Sequence, residues 1–546
     1  MAYPSQYIPA TLGTFVDGQV VSANDATYGL NPKMEQIRSV VNDHADKLNT
    51  LNAQVSALGG LVYNVVAYGA DPTGVADSTT AIQNTITDAV ANQGIVVFSN
   101  GTYKITDTLS ITGTCYITTD GANNGVTIYQ TTVSKSFFNI SASYVRITDL
   151  KMDFQGASAT NAMIYRTAPT SAVYLTGIAI QRCQFYSSTS KSFTAISLPA
   201  VQASSILDCA TTGSATTTVN FIALNCPQNV AISRNFCTSC ASSVAISTTL
   251  SGGNTANLVI DQNTISAVYA DAISMDYCSN VFIDKNIFSN FRSTSTVYYA
   301  VKVLAGPGSR ASYLSITGNL VDNNGSASSI KNGGIYARSC SYLNISRNNF
   351  VYGYCPVYIA GLSASGTSGS THNVSDNTFY RPYDGAIYTE DFYGTCSIKG
   401  NTIVDVVSNA TYTVAAIRNT SVSSITNCML VSNNSVATDG TTGFTYKNAY
   451  GLVVVNGSST QRTMMQGNDF MLATNPISTG GSFTVFYEEV NGDRVFNTST
   501  TAPTTGTWKV GDKVILDTPS AGGYIGYVCT TAGTPGTWKG FGAIQA

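Results

Sequence analysis

The hexapeptide IDKNIF, at residues 283–288, carries a pattern that recurs through most of the chain: an apolar residue, two variable residues, asparagine, one variable residue and a second apolar residue. The clearest other copies are IDQNTI (260–265), ITGNLV (316–321), ISRNNF (345–350), VSDNTF (374–379) and IKGNTI (398–403). Successive asparagines are about 23 to 35 residues apart. One strand–turn–strand unit of that length cannot bury its apolar face alone, so neighbouring copies must stack. The repeat therefore predicts an all-β fold, a parallel β-helix (β-solenoid) over residues 111–475, which the crossover rule makes right-handed.

The asparagine itself predicts what holds the stack together. If every copy places it at the same corner, the side-chain amides form a hydrogen-bonded ladder along the solenoid. We accordingly expect Asn286, Asn319 and Asn348 to point into the solenoid. Cys183 stands in the asparagine position of IQRCQF (180–185), and we expect it to be a buried member of the same ladder.

The chain on the N-terminal side of the repeat predicts a cap. Residues 61–110 contain a strand, then the helix-forming run DSTTAIQNTITDAV (77–90), then the strands of GIVVFSNGTYKIT (94–106). An open end of a solenoid exposes unpaired strand groups. This short α/β segment is expected to cover that end.

Residues 31–60 predict one long helix, begun by Asn31 and Pro32 and ended by the glycines at 59–60. Four heptads fit without a break and contain one polar layer, at His44. We interpret them as a short parallel coiled coil of a homotrimer; the alternative is an amphipathic helix packed on its own domain. The seam residues are Met34, Val41, Leu48 and Val55 at position a, and Ile37, His44, Leu51 and Leu58 at position d.

Composition excludes several partner classes. Charged residues make up 10% of the chain and the net charge is −3, so there is no basic field for nucleic acid. No apolar run approaches the roughly 20 residues of a membrane helix. The 12 cysteines are irregularly spaced, and Cys237 and Cys240 form the only CxxC pair. We therefore expect reduced, buried thiols, synthesis in a reducing cytoplasm, and neither a metal nor a cofactor.

A second strand, about thirteen residues before each asparagine, predicts a functional face. Strand alternation sends one set of residues inward and the next outward, and rungs stack about 4.8 Å apart. One outward column contains Ser274, Lys302, Tyr336, Tyr358, Tyr388 and Arg418; a parallel column contains Asp276, Leu304, Arg338, Ala360, Glu390 and Thr420. Aromatic rings flanked by charges are typical of a sugar-binding groove, with Lys302, Tyr336, Arg338, Tyr358, Tyr388 and Arg418 as substrate-binding residues. The alternative is that these tyrosines contact a neighbouring subunit.

The spacing of the rungs limits which carboxylates can cooperate. Asp276 and Glu390 are four rungs apart, about 19 Å, whereas glycosidase pairs are about 5–9.5 Å apart. The candidate catalytic pairs are therefore Asp271 with Asp276, or Glu390 with Asp391. A lyase would instead use lysine, arginine or tyrosine as the base, and the residues leave hydrolase, lyase and binding alone open. His372 is expected in a turn.

The segment after the asparagine repeat, residues 476–546, predicts a small β module. It contains an internal echo, APTTGTWKVGDKV (502–514) and AGTPGTWKGFG (532–542), around the only two tryptophans. The module resembles one found at the ends of wall-associated and phage proteins of Gram-positive bacteria. A role in trimerisation and a role in glycan binding both remain open for it.

The segment from Asn64 to Ile105 resembles the entry motif of the pectate-lyase-like β-helix superfamily found in bacteriophage tailspikes and appendages. The matching residues are Asn64, Tyr68, Gly69, Ala70, Gly74, Asp77, Thr79, Ala81, Ile82, Gln83, Gly94, Val96, Phe98, Gly101, Tyr103 and Ile105. With the repeat included, the resemblance covers residues 61–475.

The resemblance implies a homotrimeric virion part, a tail appendage, that binds a host surface polysaccharide and often depolymerises it. The polymer would be a capsule, an exopolysaccharide or a wall teichoic polymer. Residues 1–30 would then be the virion-attachment segment, which contacts a tail, baseplate or collar protein. The alternative is an adhesive receptor-binding spike or structural appendage without enzymatic activity.

Overall fold

The computed structural model describes most of the chain from residue 61 onward. The described residues are 61–546 apart from 121–124, 157–161, 214–218, 250–252, 292–297, 305–310, 324–332, 362–369, 392–393, 408–413, 422–426, 438–448, 457–461, 470–474, 481–483, 487, 491–492, 498–500, 505–507 and 517. The predicted attachment segment (1–30) and coiled coil (31–60) lie outside this set. In the part that is described, no helix is long and apolar enough to cross a membrane.

Three long parallel sheets form the walls of a right-handed parallel β-helix, as the repeat predicts. Each coil contributes a strand to each sheet in turn, so that strands of successive coils pair in parallel register. The described strands of the first sheet are Val62–Asn64, Ile95–Phe98, Cys115–Thr119, Val145–Thr148, Leu175–Thr176, Ala179–Gln181, Val201–Leu207, Gln228–Ser233, Ala256–Asp261, Ser279–Asp284, Ser312–Thr317, Tyr342–Ser346, Ser370–Ser375, Gly394–Lys399, Asn427–Ser432, Arg462–Gln466 and Thr484–Phe486.

The second and third sheets complete each coil. The second sheet contains the strands Thr73–Asp77, Gly101–Ile105, Val126–Gln130, Lys151–Phe154, Gln184–Tyr186, Ala210–Thr212, Phe236–Thr238, Thr264–Ser266, Ile287–Ser289, Leu320–Asp322, Asn349–Val351, Thr378–Tyr380, Thr402–Val404 and Ser435–Ala437. The third contains Leu109–Ile111, Phe138–Ile140, Ile164–Tyr165, Phe193–Pro199, Val219–Asn225, Ser242–Ser247, Ile273–Met275, Tyr299–Leu304, Gly333–Arg338, Val357–Ala360, Ile387–Glu390, Val414–Ser421, Ala449–Asn456 and Asn475–Gly480.

A helix covers the N-terminal end of the solenoid. It spans Thr79–Ala91, follows a 3-10 turn at Val65–Tyr68, and buries Ile82, Ile86 and Ala89 against the first coils. Hydrogen bonds show what two residues of the entry motif, Asp77 and Gln83, do in the structure. Asp77 Oδ1 accepts hydrogen bonds from the backbone N–H of Thr79 (3.1 Å) and from its hydroxyl (2.6 Å). Gln83 exchanges two hydrogen bonds with the backbone of Ser110, at 3.0 and 2.7 Å, and so fixes the helix on the next strand.

The predicted asparagine ladder is confirmed. Asn286 is fully buried; its Nδ2 donates to Asn319 Oδ1 (3.0 Å) and to the carbonyl of Ile260 (2.9 Å). Asn319 and Asn348 repeat the arrangement one coil at a time. Among the described residues, the series is Asn235, Asn263, Asn286, Asn319, Asn348, Asn377, Asn401, Asn434 and Asn468.

The ladder explains why glycine appears just before asparagine in some copies. The residue in front of each ladder asparagine has a positive φ, for example 52° at Lys285, 64° at Gly318 and 65° at Gly400. Glycine adopts that left-handed conformation without strain. The corner of the coil therefore favours glycine at this position, although other copies carry residues such as Arg347 and Asp376 there with the same positive φ.

Most cysteines and the one histidine of the solenoid are buried in its core. The cysteines are free thiols; Cys183 is buried in the ladder position, as predicted, and Cys237 and Cys240 are buried too. The expectation for His372 is wrong: it lies within the strand Ser370–Ser375 and is 3% exposed, because its position in the alternation faces inward. Burial lowers the pKa of its imidazole to about 4.

Five further strands form a separate mixed sheet near the C-terminus. They are Glu488–Val490, Asp493–Asn497, Lys513–Ile515, Tyr524–Thr531 and Thr537–Ala543. Trp508 and Trp538 meet edge to face, with ring centroids 4.9 Å apart, beside the buried Val514.

Candidate functional site

The outward residues of the third sheet form the two columns that the alternation predicts. Strand pairing places Ser274 opposite Lys302, then Tyr336, Tyr358, Tyr388 and Arg418 on successive rungs. The same pairings align Leu304, Arg338, Ala360, Glu390 and Thr420. The alternate residues, such as Ile335 and Ile387, are buried. One face of the solenoid therefore presents continuous rows of side chains.

Three tyrosines and one arginine of the first column contact one another in turn, and the ring of Tyr299 extends this stack at one end. Ring centroids are 5.1 Å apart for Tyr299 and Tyr336, 5.0 Å for Tyr336 and Tyr358, and 4.7 Å for Tyr358 and Tyr388. The guanidinium carbon of Arg418 lies 5.4 Å from the centre of the Tyr388 ring. The stack fixes the rings relative to each other, since each one contacts the next.

Tyr299 joins the stack although strand alternation does not place it in the first column. It lies opposite Gly333, where an added Cβ would be 2.4 Å from two atoms of the Tyr299 ring. The missing side chain lets the ring lean across to Tyr336. A tyrosine paired with a glycine one coil later is the signal that points to it.

A cleft of about 410 Å³ lies beside this stack, and we call it the aromatic cleft. Arg418 borders it, and the Nε of that side chain is buried without a hydrogen-bond acceptor among the described residues. Burial raises the pKa of the Tyr388 phenol, so its hydroxyl is protonated at neutral pH. The residues that line the cleft are Tyr299, Tyr354, Cys355, Tyr358, Asp384, Gly385, Ile387, Tyr388, Ala415 and Arg418.

Glu390 and Asp391 are not brought together as a pair. The Tyr358 hydroxyl donates a hydrogen bond to Glu390 Oε2 on the outer face. Burial and this carboxylate raise the pKa of Tyr358, which keeps it a donor. Asp391 is 6% exposed. It follows the last residue of the strand Ile387–Glu390 and has a positive φ of 46°, so it is buried at the end of the strand, while Glu390 lies on the outer face.

A second cleft, of about 600 Å³, lies on the same face toward the N-terminal end. We call it the small-residue cleft because the outward column has short side chains there, one per rung: Ser197, Ala223, Ala245 and Ser274. Its charged lining residues are Arg166 and Asp276. Short side chains on four successive rungs leave a trough that runs along the solenoid axis.

Asp271 and Asp276, the other predicted pair, are also separated. Asp271 accepts hydrogen bonds from Lys302 Nζ (2.8 Å) and from the backbone N–H of Tyr299 (2.9 Å). Asp276 lies five residues further along an extended segment, roughly 16 Å away, and lines the small-residue cleft. Burial raises the pKa of Asp276, which favours its protonated form.

The predicted cations occupy different settings. Lys302 is neutralised by Asp271, and both side chains are largely covered. Arg338 is exposed at the edge of the face, in the column of Glu390. Arg418 remains as the predicted cation that lines a cleft. Across the described residues, no group of three histidine, cysteine or acidic side chains is placed to hold a metal ion.

The sequence analysis does not predict the small-residue cleft or a role for Arg166. The coils of Arg166 and Ser197 carry Cys183 and Cys209 in place of the ladder asparagine, so the asparagine repeat does not align these two coils with the later ones. The signal that points to them is a run of serine and alanine at outward strand positions, where long polar side chains are usual.

Residues 62–238, about a third of the chain, match the family model described as rhamnogalacturonase A/epimerase, pectate lyase-like. The matched segment contains the cap and the coils that form most of the small-residue cleft. No curated protein matches the chain.

Several solved structures are similar to this chain at low identity. Tailspike protein 3 of bacteriophage CBA120 has a TM-score of 0.48 and 12% identity, over 90% of this chain and 70% of that one. The catalytic unit of the GH87 alpha-1,3-glucanase from Streptomyces thermodiastaticus strain HF3-3 has a TM-score of 0.44 and 14% identity, over 78% and 69%. PfbA, a surface adhesin of Streptococcus pneumoniae, has a TM-score of 0.37 and 12% identity, over 88% and 100%. All three TM-scores are below 0.5, and it is the pairing of the strands that shows the fold.

Proposed function

We propose that this pectate-lyase-like parallel β-helix protein binds a host cell-surface polysaccharide along the outward face of its third sheet. The observation that carries the proposal is the single column that joins the small-residue cleft to the tyrosine stack. Its members recur about every 4.8 Å, a spacing comparable with a sugar ring. A polymer that lies parallel to the solenoid axis would meet the same kind of contact at each repeat.

The two clefts supply different parts of recognition. In the aromatic cleft, ring faces contact the apolar faces of sugars, while phenol groups and Arg418 donate hydrogen bonds to hydroxyl groups. In the small-residue cleft, short side chains leave room for bulkier sugars or branches. This division supports binding of a chain rather than of one monosaccharide.

For cleavage, we propose Asp276 as the general acid. Burial raises its pKa, which shifts it toward the protonated form that a general acid needs, and it faces a cleft large enough for a sugar. The described lining of that cleft contains no second carboxylate, and Asp271 and Glu390 are held by Lys302 and Tyr358. Those two bonds favour the alternative, an adhesive spike that binds the polymer without cleaving it.

The biological setting is proposed from the resemblance. The protein would be a virion tail appendage that assembles as a homotrimer, with residues 1–30 bound to a tail, baseplate or collar protein. The five-stranded C-terminal sheet would serve trimerisation or glycan binding.

The test uses the purified full chain and isolated capsule, exopolysaccharide and wall teichoic polymers. Binding is measured by co-sedimentation with the polymers, and cleavage by release of reducing ends and by ultraviolet absorbance of unsaturated products. Binding without either product supports the adhesive spike. Failure to bind any of the polymers contradicts the proposal.

If cleavage is found, Asp276→Asn should lower turnover about 10²–10⁴-fold while binding persists. Turnover of the unchanged protein should fall as pH rises through the pKa of Asp276, since the acid must carry its proton. Asp376→Asn, at an exposed turn, is the matched control and should leave turnover unchanged. Full activity of Asp276→Asn would remove Asp276 from the reaction.

A further inference from the structure

Arg166, at the end of the small-residue cleft, is held in one orientation by backbone carbonyls. Its Nη1 donates to the carbonyls of Pro199 (2.8 Å) and Ala200 (2.6 Å), and its Nη2 donates to the carbonyl of Val173 (2.6 Å). A guanidinium has five N–H donors, so two remain, on Nε and Nη2. The side chain is therefore positioned by the fold and still has donors to offer.

The positive charge of Arg166 has no carboxylate partner among the described residues. Burial lowers the pKa of this guanidinium, and no acidic side chain opposes that effect. Two other arginines of the solenoid behave differently: Arg182 pairs with Asp149 and Arg234 with Asp208, each with a shortest N–O distance of 2.7 Å. A neutral donor would satisfy carbonyls without the cost of burying a charge. Arg166 is thus a half-buried cation without a carboxylate partner among the described residues.

Charge is unevenly distributed along the small-residue cleft. Its floor is made of uncharged short side chains, and its only described acid, Asp276, is four rungs from Arg166, about 19 Å. The end near Arg166 is therefore positively charged. Arginine binds carboxylate and phosphate groups with a geometry that matches its N–H fork.

We infer that the polysaccharide carries anionic groups — carboxylate, phosphate or sulfate — and that Arg166 binds one of them in the small-residue cleft. This inference rests on the proposed function and adds a class of ligand to it. The bound anion supplies the counter-ion that the fold leaves out. A ligand must be long enough to reach from Arg166 toward Asp276 to use the whole cleft.

The experiment measures binding of the full chain by isothermal titration calorimetry with matched probes. Oligogalacturonate is compared with its neutral methyl ester, dextran sulfate with dextran, and oligo(glycerol phosphate) is added as the phosphate probe. At least one anionic probe should bind more tightly than its neutral match, or, for the phosphate probe, more tightly than dextran. Added salt should weaken that binding.

Two variants test the residue. Arg166→Met should weaken the best anionic probe by at least about ten-fold. Because that variant also loses three internal hydrogen bonds, Ala223→Asp is the second: it leaves Arg166 in place and adds a negative charge to the cleft floor. It should weaken the same probe. Arg234→Met and Ala231→Asp, the same changes outside the cleft, are the controls and should leave binding unchanged.

The outcomes separate the two proposals. If the anionic probes bind no better than the neutral ones, or if both cleft variants keep full affinity, the inference is wrong. If a neutral host polymer then still binds, the proposed function stands without it. If the unchanged protein binds neither the probes nor any host polymer, both are wrong.

Discussion

A ladder asparagine such as Asn319 bonds to the coils on both sides of its own, so one side chain links three coils. Asn319 Oδ1 accepts hydrogen bonds from both the backbone N–H and the Nδ2 of Asn286. Its own Nδ2 donates to Asn348 Oδ1 and to the carbonyl of Ile283. All of these groups are buried, so none can turn to water when the asparagine is lost.

Asn319→Leu should therefore lower the free energy of unfolding, by about 1–3 kcal/mol for each group left without a partner. Thermal and denaturant unfolding of the full chain measure the effect. Asn349→Leu, on the exposed outer side of the next coil, is the matched control and should change stability little. Equal losses in the two variants would contradict the structural role of the ladder.

His372 should make the fold sensitive to mild acid. Burial lowers the pKa of its imidazole from 6.5 to about 4. An unfolded chain takes up the proton below pH 6.5, whereas the folded chain resists it down to about pH 4. The unfolding free energy should thus fall as pH drops through this window, by roughly 3 kcal/mol at the acid end.

The measurement is the melting temperature between pH 7 and pH 4 for the unchanged protein and for His372→Met. The variant has no imidazole to protonate, so its melting temperature should decline less over that window. Parallel curves would mean that other groups, such as buried carboxylates, account for the acid sensitivity.

At the scale of strands and columns, pairing decides function because it fixes which side chains become neighbours. Tyr358 and Tyr388 are 30 residues apart in sequence, yet the parallel register of their strands places their ring centroids 4.7 Å apart. The stack should bind ligand as a unit, since removal of one ring leaves a gap between the others.

Tyr358→Ala should weaken polysaccharide binding by roughly ten-fold. Tyr358→Phe keeps the ring and loses the bond to Glu390, so it should retain most of the affinity. Tyr144→Ala, at a 62% exposed tyrosine just before the first-sheet strand Val145–Thr148, is the control. Short oligosaccharides are used, because several copies of a site on one particle would hide a loss at each. If Tyr358→Phe is as damaging as Tyr358→Ala, the hydroxyl rather than the ring carries the contact.

The same scale shows what the sequence can predict. The coils and the tyrosine column follow from the asparagine repeat and from strand alternation, both of which are periodic. The hydrogen-bond partners of Asp271 and Glu390 do not follow from either period, because they depend on how far the side chains of Lys302 and Tyr358 extend toward the neighbouring rung. Arg166 follows from neither rule, since its coil lacks the asparagine and its position is set by the carbonyls of Pro199, Ala200 and Val173.

At the scale of the whole molecule, the described residues form a solenoid with a covered N-terminal end and a continuous outer face on the third sheet. Its low charge is unusual for a protein of this size: 10% of residues are charged, against roughly 25% in ordinary domains. Buried asparagine side chains and stacked tyrosine rings link successive coils along with the backbone pairing of the strands.

The heptad seam at residues 31–60 predicts a parallel homotrimer for the full chain. Sedimentation or light scattering should give the mass of three chains. Leu48→Asp, at seam position a, should shift the mass toward the single chain, because an apolar layer cannot accommodate three carboxylates. Ala53→Asp introduces the same charge at position f, outside the seam, and should leave the trimer intact. A stable monomer of the unchanged protein would contradict the prediction, and a Leu48→Asp trimer would assign assembly to the β-helix or to the C-terminal sheet instead.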